Sequence, residues 1–184
     1  MKKTYRIARI LPGVLLLLLS GCDNGSAEAP ENVPATEQAK SGNWQVKPET
    51  LTSGRAEDIK ADLSQLNPVL NKSNEESIRL LNEIDKVRND REKVKTILIE
   101  NFKNQSDIEQ NILSMTFKSA EVQIIRIQIL SNIQLARKIY GIVGTSGFDI
   151  ASPGDEFKQL SAKSFQMQQQ IGRALDDLNQ KYGQ

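Results

Sequence analysis

From Leu63 to Tyr182 the apolar residues return every third or fourth position, the period of a helix face and not of a strand. One series, Leu63, Leu66, Leu70, Ser73, Ser77, Leu80, Ile84, Val87, Arg91, Val94, Leu98 and Asn101, alternates steps of three and four as a coiled-coil seam does. A second seam runs from Ile108 through Ile112, Met115, Ser119, Val122, Arg126, Ile129, Ile133, Ala136 and Tyr140 to Val143. It is joined by another stripe at Leu113, Phe117, Ala120, Ile124 and Ile127. A helix apolar on two faces has neighbours on both sides, which predicts a central place for this one. A third stripe, Phe157, Ser164, Met167, Ile171, Leu175, Leu178 and Tyr182, closes the pattern.

Punctuation divides these seams into helices over about 55–67, 69–104, 107–143 and 153–181. Pro68 lacks an N–H and crowds the preceding turn, so 55–67 is expected as a short extra helix or a kinked first turn. Ser106 with Glu109 three residues later has the form of a capping box that starts the central helix. Gly141, Gly144 and Gly147 end it, and Ser152-Pro153-Gly154-Asp155 restarts the chain with an N-cap serine and proline at the first helical position. The predicted fold is all-α: an elongated antiparallel three-helix bundle or coiled coil, preceded by the short extra helix and by a disordered tether. At 1.5 Å per residue the rod is about 45 to 55 Å long. Serine, asparagine and arginine on the seams predict a thin core that is polar in places.

Composition narrows the chemistry. The 184 residues include no histidine and one cysteine, Cys22, so the commonest general base and metal ligand is missing and no internal disulfide is available. No catalytic residue, metal site or cofactor is expected, and the protein is read as not being an enzyme. The carboxylates Glu75, Glu76, Glu83, Asp85, Asp90, Glu92, Asp176 and Asp177 read as solvated helix faces. Gly144-Thr145-Ser146-Gly147 lacks the lysine of a phosphate loop and follows a helix where that motif needs a strand, so it reads as a helix-end loop. Arg91 and Arg126, both on seams, are expected to lay their stems along the seam and put the guanidinium in water.

The first 21 residues hold Lys2, Lys3, Arg6 and Arg9, then the apolar run from Val14 to Leu19, then Ser20 and Gly21 before Cys22. A basic start, an apolar stretch of about ten residues and small residues before the cut form a secretory signal peptide, too short to span a bilayer. Leu19-Ser20-Gly21-Cys22 resembles the lipobox of bacterial lipoproteins. The resemblance implies cleavage before Cys22, acylation of its sulfur and usually of its freed amine by palmitate-type chains, and anchoring to a membrane. Two or three chains hold far better than one. Under the sorting rule of enteric-type bacteria, Asp23 and Asn24 directly after that cysteine imply retention at the periplasmic face of the inner membrane, in preference to the outer membrane. In another kind of bacterium these two residues carry no such meaning.

Residues 22–54 read as an acylated cysteine followed by a flexible acidic tether, with Pro30, Pro34, small and polar residues and few hydrophobes. Its acids Asp23, Glu28, Glu31, Glu37 and Glu49 outnumber Lys40 and Lys47, while residues 55–184, the expected bundle domain, are balanced. Balanced charge gives no electrostatic reason to expect nucleic acid as a partner. Trp44 has two readings, an anchor for a partner or a side chain that folds back to cap the bundle. With Ile99, Ile125 and Leu135, taken as apolar positions left over from packing, it marks the expected partner contacts.

The function expected from these features is that of a non-enzymatic interaction module or adaptor in the cell envelope. It would contact an envelope protein or associate with itself. The other reading is an immunity or entry-exclusion lipoprotein that acts against a toxin, a phage or a conjugative plasmid.

Overall fold

The computed structural model describes residues 42–183, apart from the side chains of 103–105. Its four long helices are α1 (Ala56–Val87), α2 (Arg91–Ser114), α3 (Ala120–Val143) and α4 (Asp155–Tyr182). They have 32, 24, 24 and 28 residues, or about 36 to 48 Å each at 1.5 Å per residue. The all-α prediction holds, but the described chain is a four-helix bundle and not the three-helix arrangement with a short extra helix.

Three differences in the breaks produce this correction. The chain does not break at Pro68: α1 passes through it. Pro68 lies on the exposed side of the helix, while Leu63, Leu66 and Leu70 on the opposite side are all but fully buried. A proline inside a helix costs about 3 kcal/mol, but each leucine buried beside it contributes about 1.5 to 3 kcal/mol. The break falls instead at Arg88-Asn89-Asp90, where the Asp90 side chain accepts from the Lys93 N–H at 3.1 Å and caps α2.

The expected start at Ser106 lies inside α2. Glu109 does not serve a capping box. It is buried, accepts from Gln134 Nε2 at 3.1 Å and pairs with Arg137, tying α2 to α3. The expected helix over 107–143 is then broken at Met115–Ser119, so its two stripes do not lie on one rod. Leu113 and Phe117 are buried, whereas Ile124 and Ile127 face solvent at 46% and 37% exposure. The last helix starts two residues later than expected, with Gly154 and not Ser152 at its N-cap.

The helices alternate in direction, as the composition of two hydrophobic cores shows. One core joins the first half of α1 (Ile59, Leu63, Leu66, Leu70) to the end of α2, the start of α3 and the end of α4 (Ile171, Leu175). The other joins the end of α1 (Leu80, Ile84) to the start of α2, the end of α3 and Phe157 at the start of α4. Between them Ser73 and Asn74 on α1, Asn132 on α3 and Ser161, Ser164 and Gln168 on α4 are buried polar side chains. Ser164 donates to Asn132 at 2.8 Å and accepts from Gln168 at 3.3 Å within this belt. The polar places expected in the core take this form.

Candidate functional site at the docked end of the bundle

Residues 42–54 belong to the folded protein and not to the tether. They run as a strap across the end of the bundle where α2 turns into α3, with a 3-10 turn at Pro48–Thr50. The sequence hid this because the strap is polar. It is held by hydrogen bonds to side chains far away in the chain, and low apolar content alone reads as linker.

The side chains of Asn43 and Gln123 and the backbone of Thr52 make the attachment. Asn43 lays its amide against the backbone of Phe117: Nδ2 donates to the Phe117 carbonyl at 2.6 Å and Oδ1 accepts from the Phe117 N–H at 2.9 Å. Gln123 on α3 donates from Nε2 to the carbonyls of Trp44 at 3.1 Å and Val46 at 2.6 Å. Thr52 forms a parallel bridge beside Ser119, donating its N–H to Lys118 O at 3.0 Å and accepting the Ala120 N–H at 2.8 Å. Glu121 accepts from the Gly54 N–H at 2.7 Å, and Gly54, at φ 70°, supplies the left-handed bend that leads into α1.

Arg126 sits under the strap with no solvent exposure at all. The expectation that its guanidinium reaches water is therefore overturned, whereas Arg91 behaves as expected, exposed and 3.5 Å from Asp149. Arg126 donates to Met115 O at 2.6 Å, to Asn43 Oδ1 at 2.7 Å and to Gln123 Oε1, and its Cζ lies 4.3 Å from the centre of the Phe117 ring. Burial brings its pKa down to about 10, partly opposed by the negative field of Asp62. Asp62, itself buried on α1, spends Oδ2 on the N–H groups of Lys118 and Ser119 at 2.9 and 2.7 Å and on the Ser119 hydroxyl at 2.6 Å. The buried guanidinium is thus met largely by neutral oxygens of the strap, the α2–α3 turn and α3, and by one aromatic face.

The residues expected as partner contacts do not come together. Trp44, within the strap, packs half-buried against the core, the fold-back reading of that residue. Ile125 is 2% exposed and belongs to the core, which corrects its assignment to the surface: it faces inward one position from the exposed Ile124. Ile99 and Leu135 are half-buried on α2 and α3. The exposed large hydrophobes are Ile78, Ile124 and Ile127. Cys22, Asp23 and Asn24 lie outside the described residues. Among the described residues no group of three acidic, cysteine or histidine side chains could hold a metal, and no helix is long and apolar enough to cross a membrane.

Asn43, Asp62, Gln123 and Arg126 escaped the sequence reading as a constellation, because they come from the strap, α1 and α3. Only Arg126 carried a signal, a cation on an otherwise apolar seam.

No curated protein and no solved structure matches the chain. The family described as "Uncharacterised lipoprotein PM1805" matches residues 60–183, which takes in nearly all of α1 and the whole of α2, α3 and α4. The match covers well over half of the 184 residues and agrees with the lipobox resemblance at Cys22; the chain belongs to this lipoprotein family, and so to the membrane-anchored proteins of the cell envelope.

Proposed function

We propose that the protein is an adaptor, anchored by acyl chains on Cys22 and presenting its bundle to another envelope protein from the periplasmic face of the inner membrane. The observation that carries this reading is the strap. Residues 42–54, which lie between Cys22 and α1, are built into the bundle through Asn43, Gln123 and Thr52, so the anchored side of the chain enters the folded body at the end where α2 turns into α3. Ile124 and Ile127, exposed one turn apart on α3, are the apolar side chains offered to the partner. Asp23 and Asn24 support the inner membrane over the outer one.

Cross-linking in living cells, followed by affinity capture of the full-length acylated protein from native membranes, tests the proposal. A stoichiometric envelope partner that is lost in Cys22→Ala and weakened in Ile124→Gln/Ile127→Gln is the expected result. Capture of the same partner in equal amount from Cys22→Ala would overturn the anchored reading. Self-cross-links alone would overturn the adaptor reading and favour the immunity or exclusion role.

A further inference from the structure

We propose that the α2–α3 turn is a recognition site for an extended segment that presents a side-chain amide, and that residues 42–54 are its displaceable internal occupant. This deepens the adaptor reading by naming the chemistry of the partner: an asparagine followed by a large apolar residue, in the manner of Asn43-Trp44.

The recognition is complete around the Asn43 amide. Its oxygen accepts from the Phe117 N–H and from Arg126, and its nitrogen donates to the Phe117 carbonyl at 2.6 Å. An aspartate in the same place would face the Phe117 carbonyl with a second lone-pair oxygen and lose that bond, although it would bring a negative charge to Arg126. An apolar side chain would leave Arg126 and both Phe117 groups with fewer partners. The site therefore reads both ends of an amide, while Gln123 takes the backbone carbonyls that follow without regard to sequence.

Displacement follows from the way the strap is held. Apart from Trp44, which packs half-buried against the core and whose place the partner's large apolar residue would take, its hold is polar, and polar groups released from the protein regain hydrogen bonds to water. Release also returns water to Arg126, whose burial with largely neutral partners is unfavourable. At its far end the strap stops at the left-handed bend of Gly54, so displacement need not extend into α1. At the near end Gly42 lies flush on the backbone: a Cβ there would stand 1.8 Å from Leu113 O and 2.8 Å from Met115 O.

Trp44 is the only tryptophan and lies in the strap, so its emission reports docking while far-ultraviolet circular dichroism reports the helices. In the full chain, Trp44 is expected to shift to the red at lower denaturant than the helical signal is lost. The full-length Gly42→Ala/Asn43→Ala variant, its strap undocked, is then titrated with labelled peptides of residues 42–54. The native peptide is expected to bind about tenfold or more tighter than those carrying Asn43→Asp or Asn43→Ala, as loss of one or two buried hydrogen bonds implies. Coincident transitions in the native chain overturn displaceability. Binding of the Asn43→Asp peptide as tight as the native one overturns amide recognition, and absence of any peptide binding overturns the site. Each readout is independent of acylation, so failure here leaves the anchored-adaptor reading standing.

Discussion

Asp62 Oδ2 accepts both the N–H and the hydroxyl of Ser119, at 2.7 and 2.6 Å, so the N-cap residue of α3 is held from α1 and not from within its own helix. Ser119 occupies the N-cap position yet makes no side-chain cap bond of its own. Removing the carboxylate leaves buried N–H groups without an acceptor. Asp62→Ala is expected to lower stability by about 2 to 4 kcal/mol, and Asp62→Asn by less because one acceptor oxygen is kept. Urea unfolding followed by circular dichroism measures both, and equal stability of Asp62→Ala and the native protein would remove the cross-helix hold.

Arg126 gives the second prediction, in which size and charge separate. Arg126→Lys keeps a buried cation but replaces the planar fork that reaches Met115, Asn43 and Gln123 with a point charge, and is expected to cost about 2 to 3 kcal/mol. Arg126→Met removes the charge together with its desolvation and is expected to cost less than the lysine. Both variants loosen the strap, so Trp44 emission shifts to the red in each. A lysine variant more stable than the methionine variant would show that the charge itself, and not the fork, holds the site.

Adjacent isoleucines on α3 should answer very differently to truncation. Ile125→Ala removes a core side chain and is expected to cost about 2 to 4 kcal/mol. Ile124→Gln and Ile127→Gln, on the exposed side, are expected to change stability by no more than about 0.5 kcal/mol. Thermal unfolding of the three single variants is the check, and a large loss at Ile124 would place that side chain in the fold.

Tyr140 lies in the second core, its ring 4.9 Å from that of Phe102. Burial pushes its phenol above the usual value of about 10, and Asn101 opposes the shift. The unfolded chain therefore gives up this proton first as pH rises, so the contribution of Tyr140 to stability is present below pH 10 and is lost above it. Phenolate absorbance of the native protein should show one late-ionising tyrosine, and Tyr140→Phe should abolish that component alone.

The class of fold could be read from the apolar period, and so could the glycine-rich connection before α4. The first three helices were misdivided for a shared physical reason. The turns at Arg88–Asp90 and Met115–Ser119 have lengths that leave the three-four spacing unbroken, so Val87, Arg91 and Val94, like Met115, Ser119 and Val122, look like one continuous seam. Asn89-Asp90 ahead of Glu92, and Ser119 ahead of Glu121, were the available signals, since side chains of these types cap helices and acids favour the first turn. Pro68 misled in the opposite direction, because its solvent-facing position lets the helix continue. The site at Arg126 left almost no local trace: its acceptors Met115 and Asn43 stand 11 and 83 residues away in the chain.

The parity of the bundle decides which way it points. Three helices would have carried the end of the chain to the pole opposite the strap. Four return it, and Asn67 on the first half of α1 meets Asn179 near the end of α4 at 2.8 Å. Gly42 and Tyr182 thus share a pole, and the connections around Asn89 and through Gly144 to Gly154 form the other. A fusion placed after α4 would therefore sit at the strap's pole, beside the start of α3 with Ile124 and Ile127, and the far pole with its two connections is the side on which a label leaves that surface clear.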